Sequence, residues 1–241
     1  MIDILIPVFN EGKAINEVLH HIQKNMKTPH RFLICYDYDE DPTLKYIEYQ
    51  KYPNLKLIKN PKTGPCEAIK EGFSQSDSEL VIVYPGDDLI NGNILDAMVL
   101  SAQDGNDIVV ASRFMKGGSM KGCPLIKSIL VRVASSTLYF LSSIPVRDAS
   151  NGFRLFSRKC LEIINIESSV GFTYSIELLV KANRLNMNIS EVPAQWLERN
   201  QGKSNFKIGS WISVYFKWYL YGLSTSWLKS KPSKTCIKKL Q

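Results

Sequence analysis

Two adjacent carboxylates, Asp87 and Asp88, follow four apolar residues and a Pro-Gly turn in the run VIVYPGDDLI, residues 81–90. Like charges in one small site repel, and one of them stays protonated unless a cation lies between them. Hard oxygen ligands suit Mg²⁺ or Mn²⁺, and either ion bridges diphosphate oxygens. The pair reads as a platform for a metal-bound nucleotide.

Acids also close two earlier apolar runs. IDILIP (2–7) leads to Glu11, and RFLICY (31–36) leads to Asp37, Asp39, Glu40 and Asp41. Aspartate is favoured as a helix N-cap, and Asp41 before Pro42 is assigned that role. Asp37 and the Asp87/Asp88 pair suit it less well. His20, His21 and His30 all lie in the first thirty residues, the first two on a predicted helix. Proton transfer therefore falls to carboxylates or to the substrate.

The elements that must position these acids alternate in type. Strands are predicted at 2–7, 31–36, 54–59, 79–84 and 107–112, with helices at 12–25, 42–51 and 64–74 between them. Repeated βα units with continuous apolar strands imply a mostly parallel α/β sheet covered on both faces. Ligands of such sheets bind beyond the carboxyl ends of the strands, where the acids fall. No GxGxxG follows the first strand and no P-loop occurs, so phosphates need another holder. The second half predicts an apolar helix at 124–144, a loop and strand at 148–159 and a helix at 171–185. A strand pair and basic loop at 188–207 and an aromatic-rich segment at 208–228 follow.

The 241-residue chain carries a net charge of +7, which suits an anionic partner. No RNP-like or helix-turn-helix pattern occurs, so nucleic acid is not the expected one. Five scattered cysteines without a CxxC pair argue against a disulfide framework or a zinc site and suit a reducing compartment. The opening MIDILIPVFNEG reads as a strand, so no secretory signal is expected.

The order of motifs resembles the family 2 glycosyltransferases, and more narrowly the polyprenyl- or dolichol-phosphate mannosyl- and glucosyltransferases. The matching stretches are IPVFNE (6–11), YDYDED (36–41), GPCEAIKEGF (64–73), PGDD (85–88), ASRFMKGG (111–118), DASNGFRLF (148–156), GFTYSIELL (171–179) and EVPAQWLERNQGKSNFK (191–207). The resemblance implies a GT-A fold over 1–207. It implies that Pro7, Phe9, Asn10, Glu11, Asp37, Asp39 and Gly64 hold the nucleotide, and that Asp87 and Asp88 hold its metal. Arg199 and Lys203 would close on the diphosphate, and Arg113, Lys127 and Arg132 would face an acceptor phosphate. The family shows Asp-x-Asp then Gln, whereas this chain has Pro85 in the first position, an extra acid at Asp88 and no Gln.

The activity so implied is an inverting transfer of a hexose from GDP-mannose, or from UDP-glucose, to a polyprenyl phosphate. The metal, Arg199 and Lys203 supply charge for the leaving diphosphate. An anionic lipid phosphate needs no strong base, and Asp148 is expected to orient rather than to deprotonate. Two rivals stand beside this reading. A transferase acting on a saccharide would need Asp148 as its base; a silent nucleotide-sugar-binding or membrane-adaptor protein would follow from the irregular acid motif. Residues 208–228 carry Trp211, Tyr215 and Trp218 at helical spacing around a single Lys217. They are expected to lie in the plane of a membrane at its cytosolic face, with the basic tail 229–241 disordered on anionic lipid. That placement leaves room for a membrane partner subunit.

Overall fold

The computed structural model of the chain describes residues 1–197 and 208–227. Strand β1 (Ile2–Pro7) is followed by helix α1 (Ala14–Asn25), β2 (His30–Tyr36), α2 (Pro42–Tyr46), β3 (Leu55–Lys59), α3 (Pro65–Gln75) and β4 (Leu80–Val83). Then come α4 (Leu95–Gln103), β5 (Ile108–Ser112), β6 (Ser119–Lys121), α5 (Leu125–Ser142), β7 (Arg154–Ser157) and α6 (Arg158–Ile163). The described chain ends with α7 (Thr173–Arg184), β8 (Ile189–Pro193), β9 (Gln195–Leu197) and α8 (Ile208–Trp227).

Among the described residues, seven strands form one sheet in the order β3-β2-β1-β4-β7-β5-β8. The predicted parallel sheet is present, with β7 alone antiparallel between β4 and β5. Alternate side chains feed two cores. Ile4 and Ile6 meet Ile15, Val18, Leu19 and Ile22 of α1, which recur at helical spacing. Leu5 and Val83 point to the other face, against Ile69 and Phe73 of α3. Here α3 approaches closely, because a Cβ on Gly72 would lie 2.2 Å from Leu5 Cδ1 and 2.9 Å from Cys35 Sγ. Gly72→Ala overpacks this contact and is expected to cost about 1–3 kcal/mol. A lower urea midpoint with unchanged slope would show it; a wild-type midpoint would show that α3 can lift away.

Two sequence expectations need correction. The helix expected over 42–51 stops at Tyr46, because Ile47 turns to extended backbone and buries its side chain. The strands expected to pair within 188–207 do not pair with each other. β8 joins β5 in the main sheet, and β9 forms a separate parallel ladder with β6. Ala194 makes the crossing: its N–H donates to Ser112 O at 2.9 Å, and its carbonyl accepts from Ser119 N at 3.0 Å.

The aromatic segment forms helix α8, and one face of it belongs to the core. Trp218 is 2% exposed and its Nε1 donates to Ser168 Oγ at 2.9 Å. The Lys181 ammonium of α7 sits 4.8 Å from the Trp218 ring and is paired with Glu177 at 2.6 Å. Gly222 brings α8 close to Leu138 of α5 and Val180 of α7. Lys217 pairs with Glu167 at 3.3 Å, and only Phe216 and Leu220 are exposed large apolar side chains on this helix among those described. An aromatic stripe at helical spacing is here spent largely on covering α7. Apolar surface faces out instead on α5, where Leu125, Ile126, Ile129, Leu130, Val133 and Phe140 are exposed. The side chains of Trp211 and Trp227, and the basic tail, lie outside the described residues.

Candidate active site

Parallel pairing of β2, β1 and β4 brings their carboxyl ends to one edge. The loop after β1 is pinned to the start of α2. Asp41 Oδ1 accepts from Thr43 N at 2.8 Å and so caps α2, as expected, while Oδ2 accepts from Asn10 N at 3.0 Å. Thr43 Oγ1 accepts from Glu11 N at 2.9 Å. Asn10 also receives the Tyr38 hydroxyl, and Tyr38 meets the exposed Phe9 edge to face at 5.9 Å. The exposed Phe9 ring offers a flat apolar surface beside the acids.

Asp37 bridges two elements of the same edge. Its Oδ1 accepts from Asn60 Nδ2, and its Oδ2 from Gly64 N, each at 2.8 Å. Gly64 holds φ +93° where α3 begins, a conformation that favours glycine. Asp39 pairs with Lys59 at the surface. The turn after β4 closes on the turn after β1, since a Cβ on Gly86 would lie 2.9 Å from Pro7 O and 3.8 Å from Glu11 Cγ. The structure thus gathers Pro7, Phe9, Asn10, Glu11, Asp37, Asp39, Gly64 and Asp87 at one edge.

The two adjacent acids differ. Asp87 is exposed, whereas Asp88 is half-buried. Asp88 Oδ1 accepts from Ile90 N at 2.8 Å and Asn91 N at 2.9 Å, and Oδ2 accepts from Asn91 Nδ2 at 2.6 Å. Among the described residues no group of three or more His, Cys, Asp or Glu side chains forms a metal cage. One exposed carboxylate still fits a divalent cation that takes its other oxygens from a diphosphate and water.

A second cluster lies after β5. Asp148 is 0% exposed, and its Oδ2 accepts from Arg113 Nε at 2.7 Å and Arg113 N at 3.0 Å. Its Oδ1 accepts from Arg113 Nη2 at 2.9 Å, Ser150 Oγ at 3.0 Å and Asn151 N at 3.2 Å. Burial alone would raise this carboxyl, but the Arg113 charge and these donors hold it below the usual carboxylate range. Two guanidinium groups sit over the Phe114 ring, Arg113 at 5.1 Å and Arg132 at 4.7 Å from its centroid. Lys127 of α5 sits 5.6 Å from the Trp196 ring of β9. Arg113 and Arg132 are therefore gathered on one ring, and Lys127 is set on β9. Arg199 and Lys203 lie outside the described residues. Sequence reasoning missed Tyr38, Asn60, Asn91, Phe114 and Trp196; for Asn91, its place three residues after Asp88 was the available signal.

A mostly parallel sheet with helices on both faces, its acids gathered beyond the carboxyl ends, defines the GT-A class of nucleotide-diphospho-sugar transferase folds. The fold matches a solved glucosyl-3-phosphoglycerate synthase from Mycobacterium tuberculosis, in complex with Mn²⁺, UDP and phosphoglyceric acid. The TM-score is 0.68 at 14% identity, over 97% of this chain and 80% of that one. Residues 3–164 match glycosyl transferase family 2, and the chain belongs to that family. It is 22% identical to a dolichol-phosphate mannosyltransferase of Pyrococcus furiosus, over 92% of this chain and 63% of that protein. It is 29% identical to a dolichyl-phosphate beta-glucosyltransferase of Trichomonas vaginalis, over 88% of this chain and 70% of that protein. The chain thus spans less than two thirds of the length of the first of these relatives.

Proposed function

We propose that the chain is an inverting glycosyltransferase that moves a hexose from a nucleotide sugar to a polyprenyl phosphate at the cytosolic face of a membrane. The observation that carries this reading is the state of Asp148. It is buried, held ionised and surrounded by donors, so it has neither the basicity nor the access of a general base. A sugar hydroxyl acceptor would need such a base. A phosphate monoester is already anionic at neutral pH and attacks the anomeric carbon without one.

The remaining groups take roles that suit this chemistry. Phe9 and Tyr38 receive the base, and Asp37 and Glu11 flank the ribose. Asp87 would hold a Mg²⁺ or Mn²⁺ ion on the diphosphate, and that ion, when bound, neutralises charge on the departing nucleotide. Arg199 and Lys203 add positive charge to the same diphosphate. Asp148 neutralises Arg113 and fixes its direction, so Arg132 and Lys127 contribute the net charge that draws the acceptor phosphate. The names of the relatives support mannose and glucose alike; GDP-mannose is the first donor to try and UDP-glucose the second.

The exposed face of α5 supports a membrane location. Ile126 is 76% exposed and Phe140 77%, on the same helix that carries Lys127 and Arg132. The helix has 18 residues with mean hydropathy 1.3 and is only 17% buried. Apolar side chains beside basic ones suit a helix lying in the headgroup layer of anionic lipid. The lipid tail of the acceptor then stays in the bilayer while its phosphate meets the cations.

The test is a donor panel with a short polyprenyl phosphate and Mn²⁺, read by product mass. A hexosyl-phospho-polyprenyl product is expected, and transfer only to free saccharides would overturn the reading. For the membrane part, Ile126→Glu with Ile129→Glu should abolish co-sedimentation with anionic vesicles. The same variant should keep transfer to the short acceptor in detergent. Vesicle binding equal to wild type would show that α5 is not the docking face.

A further inference from the structure

Asp88 has a structural partner that no metal role explains. Asn91 is buried, and its side chain is held at every polar atom. Its Oδ1 accepts from Gln195 N at 2.8 Å; its Nδ2 donates to Gln195 O at 2.7 Å and to Asp88 Oδ2 at 2.6 Å. The backbone N–H that defines Oδ1 also fixes which way the amide faces. At the other end of the turn, the buried Tyr84 hydroxyl donates to Asp88 O at 3.0 Å. Gln195 opens β9, which pairs in register with β6. A continuous chain of hydrogen bonds therefore runs from the end of β4 through Asp88 and Asn91 to β9. In the sequence β9 leads directly to Arg199 and Lys203.

We propose that Asp88 is a positioning residue rather than a metal ligand: it ties the turn that presents Asp87 to β9 through Asn91. This rests on the donor reading above. A carboxylate has about four lone-pair directions; two N–H groups of the turn use both of those on Oδ1, and Asn91 Nδ2 uses one on Oδ2, so three of the four are spent on holding the turn. Turning Oδ1 to a cation would strand the Asn91 N–H beside a buried side chain, which is unfavourable. Asp87, the exposed carboxylate of the turn, would then be the one to hold the ion, with diphosphate and water supplying its other oxygens. One consequence is that the cation binds as a metal–nucleotide complex and not alone. The strut also holds the turn that carries Asp87 in fixed relation to β9.

The experiment titrates the full chain with Mn²⁺, followed by electron paramagnetic resonance, with and without GDP or UDP and with no acceptor. Wild type should bind Mn²⁺ only when a nucleotide is present. Asp88→Ser should lose no more than Asn91→Ala does, about threefold, because serine still accepts the turn N–H groups and is a weak Mn²⁺ ligand but gives up the link to Asn91. Asp87→Ser should lose at least about tenfold. Asn91→Ala removes no carboxylate, yet it should weaken Mn²⁺–nucleotide binding by at least about threefold and lower the unfolding temperature. Asp88→Ser losing as much as Asp87→Ser would overturn the assignment. So would Asn91→Ala matching wild type in both measurements, or Mn²⁺ binding equally tightly without nucleotide. A wild-type chain that fails to bind Mn²⁺ even when GDP or UDP is present would overturn the donor reading itself, and this assignment with it.

Discussion

Asp87→Asn lowers turnover by about a thousandfold and weakens nucleotide-sugar binding, while lowering the unfolding temperature less than a change at Asp88 does. The size follows from the charge at stake. A carboxylate that holds a divalent cation against a leaving diphosphate supports several kcal/mol of transition-state stabilisation, and about 4 kcal/mol is a factor of a thousand. The neutral amide keeps the shape and loses the charge. The effect on stability is smaller than at Asp88, because Asp87 is exposed whereas its neighbour Asp88 carries the hydrogen bonds that shape the turn. Asp88→Ala should show the reverse balance, with a lower unfolding temperature and a smaller loss of turnover. Single-turnover kinetics with saturating donor separates the two, and circular dichroism follows folding. Near-normal rates for Asp87→Asn in metal-chelated buffer would remove the metal from the reaction.

How far these roles were legible in the sequence depends on how local their cause is. The βα alternation was legible because β1, β4 and β5 are largely apolar runs, buried on both faces and closed by turn residues. The Asp41 cap was legible because Asp-Pro at a helix start has one common geometry. The antiparallel insertion of β7 and the β6–β9 ladder were not, since strands of three or four residues carry no period and their partners lie far along the chain. Asp88 was read together with Asp87 because adjacency suggested one shared site. The three-residue spacing to Asn91 points instead to a side chain closing its own turn, but only the buried pairing of Asn91 with Gln195 shows that it does. The same holds for α8. Its spacing announced a helix with an aromatic face, but whether lipid or protein covers that face depends on α5 and α7.

Asp148→Asn is expected to destabilise the fold by about 3–5 kcal/mol, the range found when one partner of a buried ion pair is removed. The loss has two sources. Arg113 keeps its charge with no carboxylate beside it, and the amide turns donor hydrogens toward a site already crowded with donors. Arg113→Met should cost a similar amount by stranding Asp148, while the double variant should cost less than the sum of the two, since it leaves no unpaired charge. The pH dependence has a definite sign. Asp148 has its carboxyl held below the unfolded value of about 3.9, so its contribution is fully present above that pH. It is lost only as pH falls through the lower folded value. The gap between wild type and Asp148→Asn should therefore be as large at pH 5 as at pH 7 and shrink only in stronger acid. Urea unfolding at several pH values measures it. A gap that already shrinks between pH 7 and pH 5 would mean a raised carboxyl, and would return Asp148 to candidacy as a base for a hydroxyl acceptor.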